Sequence, residues 1–223
     1  MQNKEQMKAV IHELIEHANL PIPSGEKVKY EEIFVKIFCE NQKPQDVLGF
    51  SNEMMEHIYA YGYRLFNLGN YKQAASIFQS LTMFDPYQPR FALALGATYH
   101  RQKNLRGASQ YYLRAGFMNP EDPFPFFYLY DVYLLGEGLT DAQFCLEEAI
   151  RRMGDNPIFA KMKEKCVLYL EGLKNQIKDL EQKGELVPIE EEDLLKNAPQ
   201  EIKAAFEEEL KAKEMKEMKV AKK

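Results

Sequence analysis

Apolar residues recur every three or four positions through most of this chain, the spacing of amphipathic helices. Met7, Val10, Ile11, Leu14 and Ile15 mark one face of a first helix. Asn19 to Gly25, with Pro21 and Pro23, interrupts it, because two prolines and a glycine do not carry a helix. Tyr30, Ile33, Phe34, Ile37 and Phe38 form a second stripe that ends before Lys43-Pro44. Ser51 is placed to cap the helix that follows, in which Ile58, Gly62 and Leu65 face a core while Tyr59, Tyr63 and Phe66 occupy another face. Past Pro157, the positions Phe159, Met162, Cys166, Tyr169, Leu173, Ile177 and Leu180 predict a long helix stopped at Gly184 and followed by Pro188.

Between the flanking helices the chain repeats itself. A shift of 34 residues lays Gly62 on Gly96, Ala74 on Ala108 and Ala142, Phe78 on Tyr112, and Pro86 on Pro120. A period of this length, with small, aromatic and proline positions in this order, is the tetratricopeptide pattern, two helices per unit. The small residues allow the two helices of each hairpin to approach. Asn70 and Asn104 fall in the turn between them, where asparagine tolerates left-handed backbone. Pro86 and Pro120 follow the second helix, which they cannot prolong. The third copy departs from the pattern. Tyr130 replaces the small residue and Gly154 stands where proline is expected, so a longer second helix is predicted there. The expected fold is an all-α, tetratricopeptide helical-hairpin solenoid with N-terminal helices and a C-terminal capping helix.

In stacked hairpins of this kind the first helix of each unit lines the concave side. That register directs Tyr59, Tyr63, Phe66 and Asn67 of the first repeat, Arg90, Leu93, Ala97, His100 and Arg101 of the second, and Phe124, Phe127, Asp131, Leu134 and Leu135 of the third into a groove. The expected site is an aromatic trough with a few polar anchors, suited to an extended hydrophobic peptide. Tyr59 and Tyr63 stand where repeat proteins that grip acidic C-terminal tails carry lysine and asparagine, so a carboxylate clamp is not expected.

Charge and composition narrow the chemistry. A formal net charge of −5 without a basic stripe argues against nucleic acid. No apolar run reaches membrane-spanning length and the first residues do not resemble a signal peptide, so direct membrane insertion is not expected. Cys39, Cys145 and Cys166 lack metal spacing and read as reduced, mostly buried thiols. His12 and His17 flank a sequence like a zinc-protease box but are five residues apart, about 140° around a helix, so one face cannot present both. With no nucleophile-base pair, phosphate loop or metal cluster, neither catalytic residues, a cofactor nor a metal is expected.

Four stretches carry a more specific likeness. Leu48-Gly49-Phe50-Ser51 leads to Ile58-Tyr59-Ala60-Tyr61-Gly62-Tyr63, then to Gly69-Asn70-Tyr71-Lys72-Gln73-Ala74 with Phe78 and Asp85 beyond, and then to Pro89-Arg90-Phe91-Ala92-Leu93-Ala94-Leu95-Gly96-Ala97. Over about residues 48 to 155 this resembles the class II chaperones of bacterial type III secretion. The resemblance implies a chaperone of the bacterial cytoplasm that holds hydrophobic translocator proteins soluble and export-competent. It implies that Tyr59, Phe66 and Tyr71 contact an extended translocator segment, and that N-terminal helices mediate a homodimer. Leu105 departs from the family, which often has a second turn tyrosine there. A tetratricopeptide adaptor joining folded partners is the alternative reading of the same repeats.

The expected organisation is residues 1–50 as N-terminal helices serving as a cap or a self-association surface, 51–156 as three repeats, 157–184 as a capping helix, and 185–223 as a charged tail, mobile or a single helix. The spacing within 157–184 also admits a coiled-coil partner.

Overall fold

The Met54 N–H donates to Ser51 Oγ at 3.1 Å, and the helix that begins there is the first of six that pair into three hairpins. In this computed structural model, which describes residues 2–17 and 23–185, the hairpins are α4 (Asn52–Asn67) with α5 (Tyr71–Phe84), α6 (Pro89–Arg101) with α7 (Leu105–Met118), and α8 (Phe124–Leu135) with α9 (Leu139–Met153). They are preceded by α1 (Gln2–His17), α2 (Lys27–Phe34) and the short α3 (Pro44–Val47), and followed by α10 (Ala160–Gln182). No strand occurs among the described residues. The fold is the expected all-α hairpin stack.

Close approach within the first two hairpins depends on glycine. A Cβ on Gly62 would lie 2.9 Å from both Ile77 Cγ2 and Phe78 Cε1, and one on Gly96 would lie 2.7 Å from the Tyr112 ring. Those opposing rings are buried, so they have no room to retreat. Around them Met55, Leu65, Ala74, Leu81, Phe91 and Leu95 build a continuous core. The third hairpin has no glycine at this place. Tyr130 instead stacks on Tyr169 of α10, ring centroids 6.2 Å apart, and Leu146 is fully buried where the other repeats place Phe78 and Tyr112. α8 is apolar around almost its whole circumference, as expected of a helix with packed surfaces on several sides.

The hairpin turns correct one reading of the sequence. Left-handed backbone falls on Gly69 (φ 78°), Lys103 (φ 61°) and Glu137 (φ 61°), the residue before each asparagine position. Asn70 and Asn104 have negative φ and serve as helix starts, with Asn104 Oδ1 accepting from the Gly107 N–H at 3.0 Å. A side-chain oxygen that satisfies an otherwise orphan N–H is the stronger reason for asparagine here.

Before the repeats, only part of each predicted stripe is covered. Ile11 and Ile15 are buried, whereas Met7, Val10 and Leu14 remain exposed, and α2 with its π-helical extension Val35–Cys39 holds no fully buried residue. Ion pairs tie α1 to this segment, Lys27 to Glu16 at 2.9 Å and Lys4 to Glu40 at 3.4 Å. His12 Nδ1 lies 3.3 Å from the Glu31 carboxylate. Of the predicted break from Asn19 to Gly25, residues 19–22 lie outside the described residues, and Pro23 leads into a 3₁₀ turn, Ser24–Glu26. The module is joined to the repeats by Lys43, whose ammonium lies 2.8 Å from the buried Asp85 carboxylate, and by Tyr87 Oη, which donates to Asn41 Oδ1 at 3.0 Å.

After the third hairpin a 3₁₀ turn, Pro157–Phe159, leads into α10, where Cys166 and Leu173 are buried and Lys174 pairs with Glu147 at 2.8 Å. α9 runs one residue longer than α5 or α7, as the sequence anticipated. The chain divides into two compact units within α10, residues 1–174 and 175 onward. In the second unit the helix continues to Gln182, and Gly184 adopts φ 70°. The expected charged tail, apart from Glu185, lies outside the described residues. Of the three cysteines, Cys145 and Cys166 are buried, and burial pushes the Cys145 thiol up to about 12.

Candidate peptide-binding groove

A concavity of about 680 Å³ opens along the first helices of the repeats. Its first wall is a ladder on α4. Tyr59, Tyr63 and Phe66 stack in succession with centroids 6.5 and 6.4 Å apart, and Tyr71 at the start of α5 meets Phe66 edge-on at 5.5 Å. The rungs sit three or four residues apart, so one face of a helix presents all of them. They differ in burial. Tyr59 packs on Phe78 and Phe91, and burial raises its hydroxyl pKa. Tyr63 is 53% exposed, an uncovered ring in the middle of the ladder.

The floor comes from α6. Leu93, Ala94, Ala97 and His100 line it, the small residues keeping it open. Arg90 closes one end, where its guanidinium makes a two-pronged pair with Glu56 and lies 5.1 Å from the Tyr59 ring centre and 5.0 Å from that of Phe91. Arg101 lies at the other end, 5.6 Å over the Tyr71 ring, and its Nε donates to Tyr71 Oη at 3.1 Å. His100 meets Tyr112 edge-on at 6.1 Å. Burial lowers its pKa and the Asp131 carboxylate opposes that, while burial raises Asp131 against the pull of His100. Both groups are therefore biased toward their neutral forms.

Of the predicted groove residues, the structure brings Tyr59, Tyr63, Phe66, Tyr71, Arg90, Leu93, Ala97, His100, Arg101 and Leu135 to this one cavity. Asn67, Phe124, Phe127, Asp131 and Leu134 lie beyond its lining. From the third repeat Tyr128 reaches it as well. Phe124 stacks on the Tyr128 ring at 6.2 Å and meets Phe159 edge-on at 6.0 Å, and Phe127 stands edge-on to Tyr128 at 5.9 Å. Tyr128 occupies the register position of Ala94, also a lining residue, and that match was a usable signal. Phe78 and Tyr112, buried between the helices of their hairpins, also border the cavity, and Lys103 reaches it from the α6–α7 turn.

The hairpin stack and its concave aromatic face place the molecule among tetratricopeptide-repeat proteins, and the family described as tetratricopeptide repeat matches residues 55–85. The chain is 30% identical over 130 residues to the chaperone protein SicA of Salmonella typhimurium, covering 58% of this chain and 76% of the relative. PcrH in complex with the chaperone binding region of PopD, PcrH being a Pseudomonas aeruginosa protein, superposes with a TM-score of 0.55 at 26% identity, over 57% of this chain and 96% of the other. SycD of Yersinia enterocolitica, in complex with a peptide of the translocator YopD, gives 0.54 at 25% identity over 56% and 96%. This chain belongs to the class II chaperone family of type III secretion. It is accordingly a binding protein and not an enzyme.

Proposed function

We propose that the chain holds an extended apolar segment of a type III secretion translocator in the concave groove, keeping that protein soluble and export-competent in the bacterial cytoplasm. The observation that carries this reading is the ladder of Tyr59, Tyr63, Phe66 and Tyr71, whose central ring is left uncovered beside an open floor of Leu93 and Ala97. Burying such rings against a partner releases about 25 cal/mol per Å² of apolar area before association costs, and stiff aromatic side chains lose little entropy on contact. The complexes of PcrH with PopD and of SycD with a YopD peptide support the choice of client. Among the described residues no helix is long and apolar enough to cross a membrane. The exposed Met7, Val10 and Leu14 of α1 are the residues through which the N-terminal helices would form a homodimer.

A peptide array tiled across the translocator encoded in the same secretion locus tests the reading. Wild type should retain a small set of apolar segments, and Tyr63→Ala should weaken the best of them by about tenfold with unchanged helix content. Tyr63 is the better probe than Tyr59, because truncating Tyr59 would also remove ring contacts with Phe78 and Phe91. Equal retention by Tyr63→Ala, or binding to the folded translocator alone, would favour the adaptor reading.

A further inference from the structure

Three full cations line the groove, and they are not equivalent. Arg90 is engaged by Glu56 through both prongs of its guanidinium. Arg101 and Lys103, two residues apart at the α6–α7 turn, have no carboxylate partner among the described residues, where Arg101 bonds to the Tyr71 hydroxyl. Both are exposed, in a chain of formal net charge −5. The fold does not call for a cation at either place. The turn requires left-handed backbone at Lys103, but the corresponding residue of the first repeat is Gly69 and that of the third is Glu137, so any charge is compatible with the geometry. Arg101 corresponds to Asn67 and Leu135. Two cations without a carboxylate partner among the described residues therefore sit at one end of an aromatic trough whose third cation, Arg90, is matched by Glu56.

We propose that the segment held by the groove carries an acidic side chain that docks between Arg101 and Lys103, so that the chaperone reads an apolar-acidic pattern rather than hydrophobicity alone. This rests on the groove being the binding site for an extended segment. The planar guanidinium, held over Tyr71, offers its remaining N–H groups in a fork that fits a carboxylate, and Lys103 adds a second, mobile donor. An aromatic ladder alone accepts apolar chains in many registers. One charged contact at a fixed end sets a single register and direction, which is where electrostatic complementarity contributes most.

Selection of a random peptide display library against the full-length chain tests this, run in parallel on wild type, Arg101→Gln/Lys103→Gln and Tyr63→Ala. Wild type should enrich apolar peptides with Asp or Glu at a constant distance from the apolar anchors, and the double variant should enrich apolar peptides without it. In fluorescence anisotropy a selected peptide should bind wild type about fivefold more weakly after Glu→Gln, with the difference shrinking in high salt and vanishing against the double variant. Both substituted side chains are exposed, so thermal unfolding should match wild type, and Lys103→Gln alone serves if it does not. Apolar enrichment with no acidic preference, or a preference that survives in the double variant, would overturn the docking of an acid here while leaving the groove as the binding site. Loss of all apolar enrichment relative to Tyr63→Ala would overturn both.

Discussion

The two turns that join successive repeats solve one problem in different ways. The first follows α5 and leaves the Asp85 carboxylate buried, where it accepts from the Tyr87 N–H at 3.1 Å and pairs with Lys43 of the N-terminal module. Arg114 of α7 adds one bond to the Pro86 carbonyl at 2.8 Å. The second follows α7 and carries Asn119 at the place of Asp85. There a single residue of α9, Arg152, donates to the carbonyls of Gly116, Asn119 and Asp122 at 2.8, 3.1 and 3.3 Å, with its guanidinium 4.3 Å over Phe126 and paired with Glu148. One turn is thus completed by an element outside the repeats, the other entirely from within the stack. The first turn therefore depends on contacts with the N-terminal module, whereas the second depends on one side chain of the stack.

Replacing Arg152 should have the largest effect. Its side chain is only 5% exposed, so Arg152→Met would take this donor from the carbonyls of Gly116, Asn119 and Asp122 and should cost about 2–4 kcal/mol in urea unfolding. A cost under about 1 kcal/mol, the size of a surface pair, would remove the contrast between the turns. Asp85→Asn should act more weakly and more locally. It keeps an oxygen for the Tyr87 N–H but loses the charge facing the half-exposed Lys43, for about 1 kcal/mol. Hydrogen exchange should then quicken in α1 to α3 while the α6 and α7 amides keep their protection. Equal acceleration in both regions would mean that the module is integral to the stack.

A third effect is one of acidity. Hydrogen bonds from Arg151 first and Arg152 next hold the Glu148 carboxyl down at about 2, against the opposing influence of burial. A folded-state pKa below the unfolded one stabilises fully above the unfolded value, near 4.5, and is lost as pH falls toward 2. Unfolding midpoints measured across that window should fall more steeply in wild type than in Glu148→Gln. Parallel curves would show that the second turn does not depend on this carboxylate.

Much of this architecture is legible from local pattern. The period, the glycines opposite Phe78 and Tyr112, the Ser51 cap and the lengthened α9 follow from spacing and side-chain size, which act within one hairpin. Asn70 and Asn104 point one position too far along for the left-handed turn residue, because asparagine suits both a left-handed turn and a helix cap, and only the backbone shows which role it takes. Tyr128 was missed in the groove because α8 is apolar on nearly every side, so hydrophobicity does not distinguish its concave face.

What the sequence by itself determined is the repeat and the aromatic ladder on α4, since helical periodicity places Tyr59, Tyr63 and Phe66 on one face whatever surrounds them. What only the tertiary structure decided is which charges are free. Arg90, Arg101, Arg114 and Arg152 look alike in the chain, and their roles depend on carboxylates, carbonyls and rings that approach from other helices. Those partners lie up to 36 residues away, a separation at which residue spacing no longer indicates what touches what.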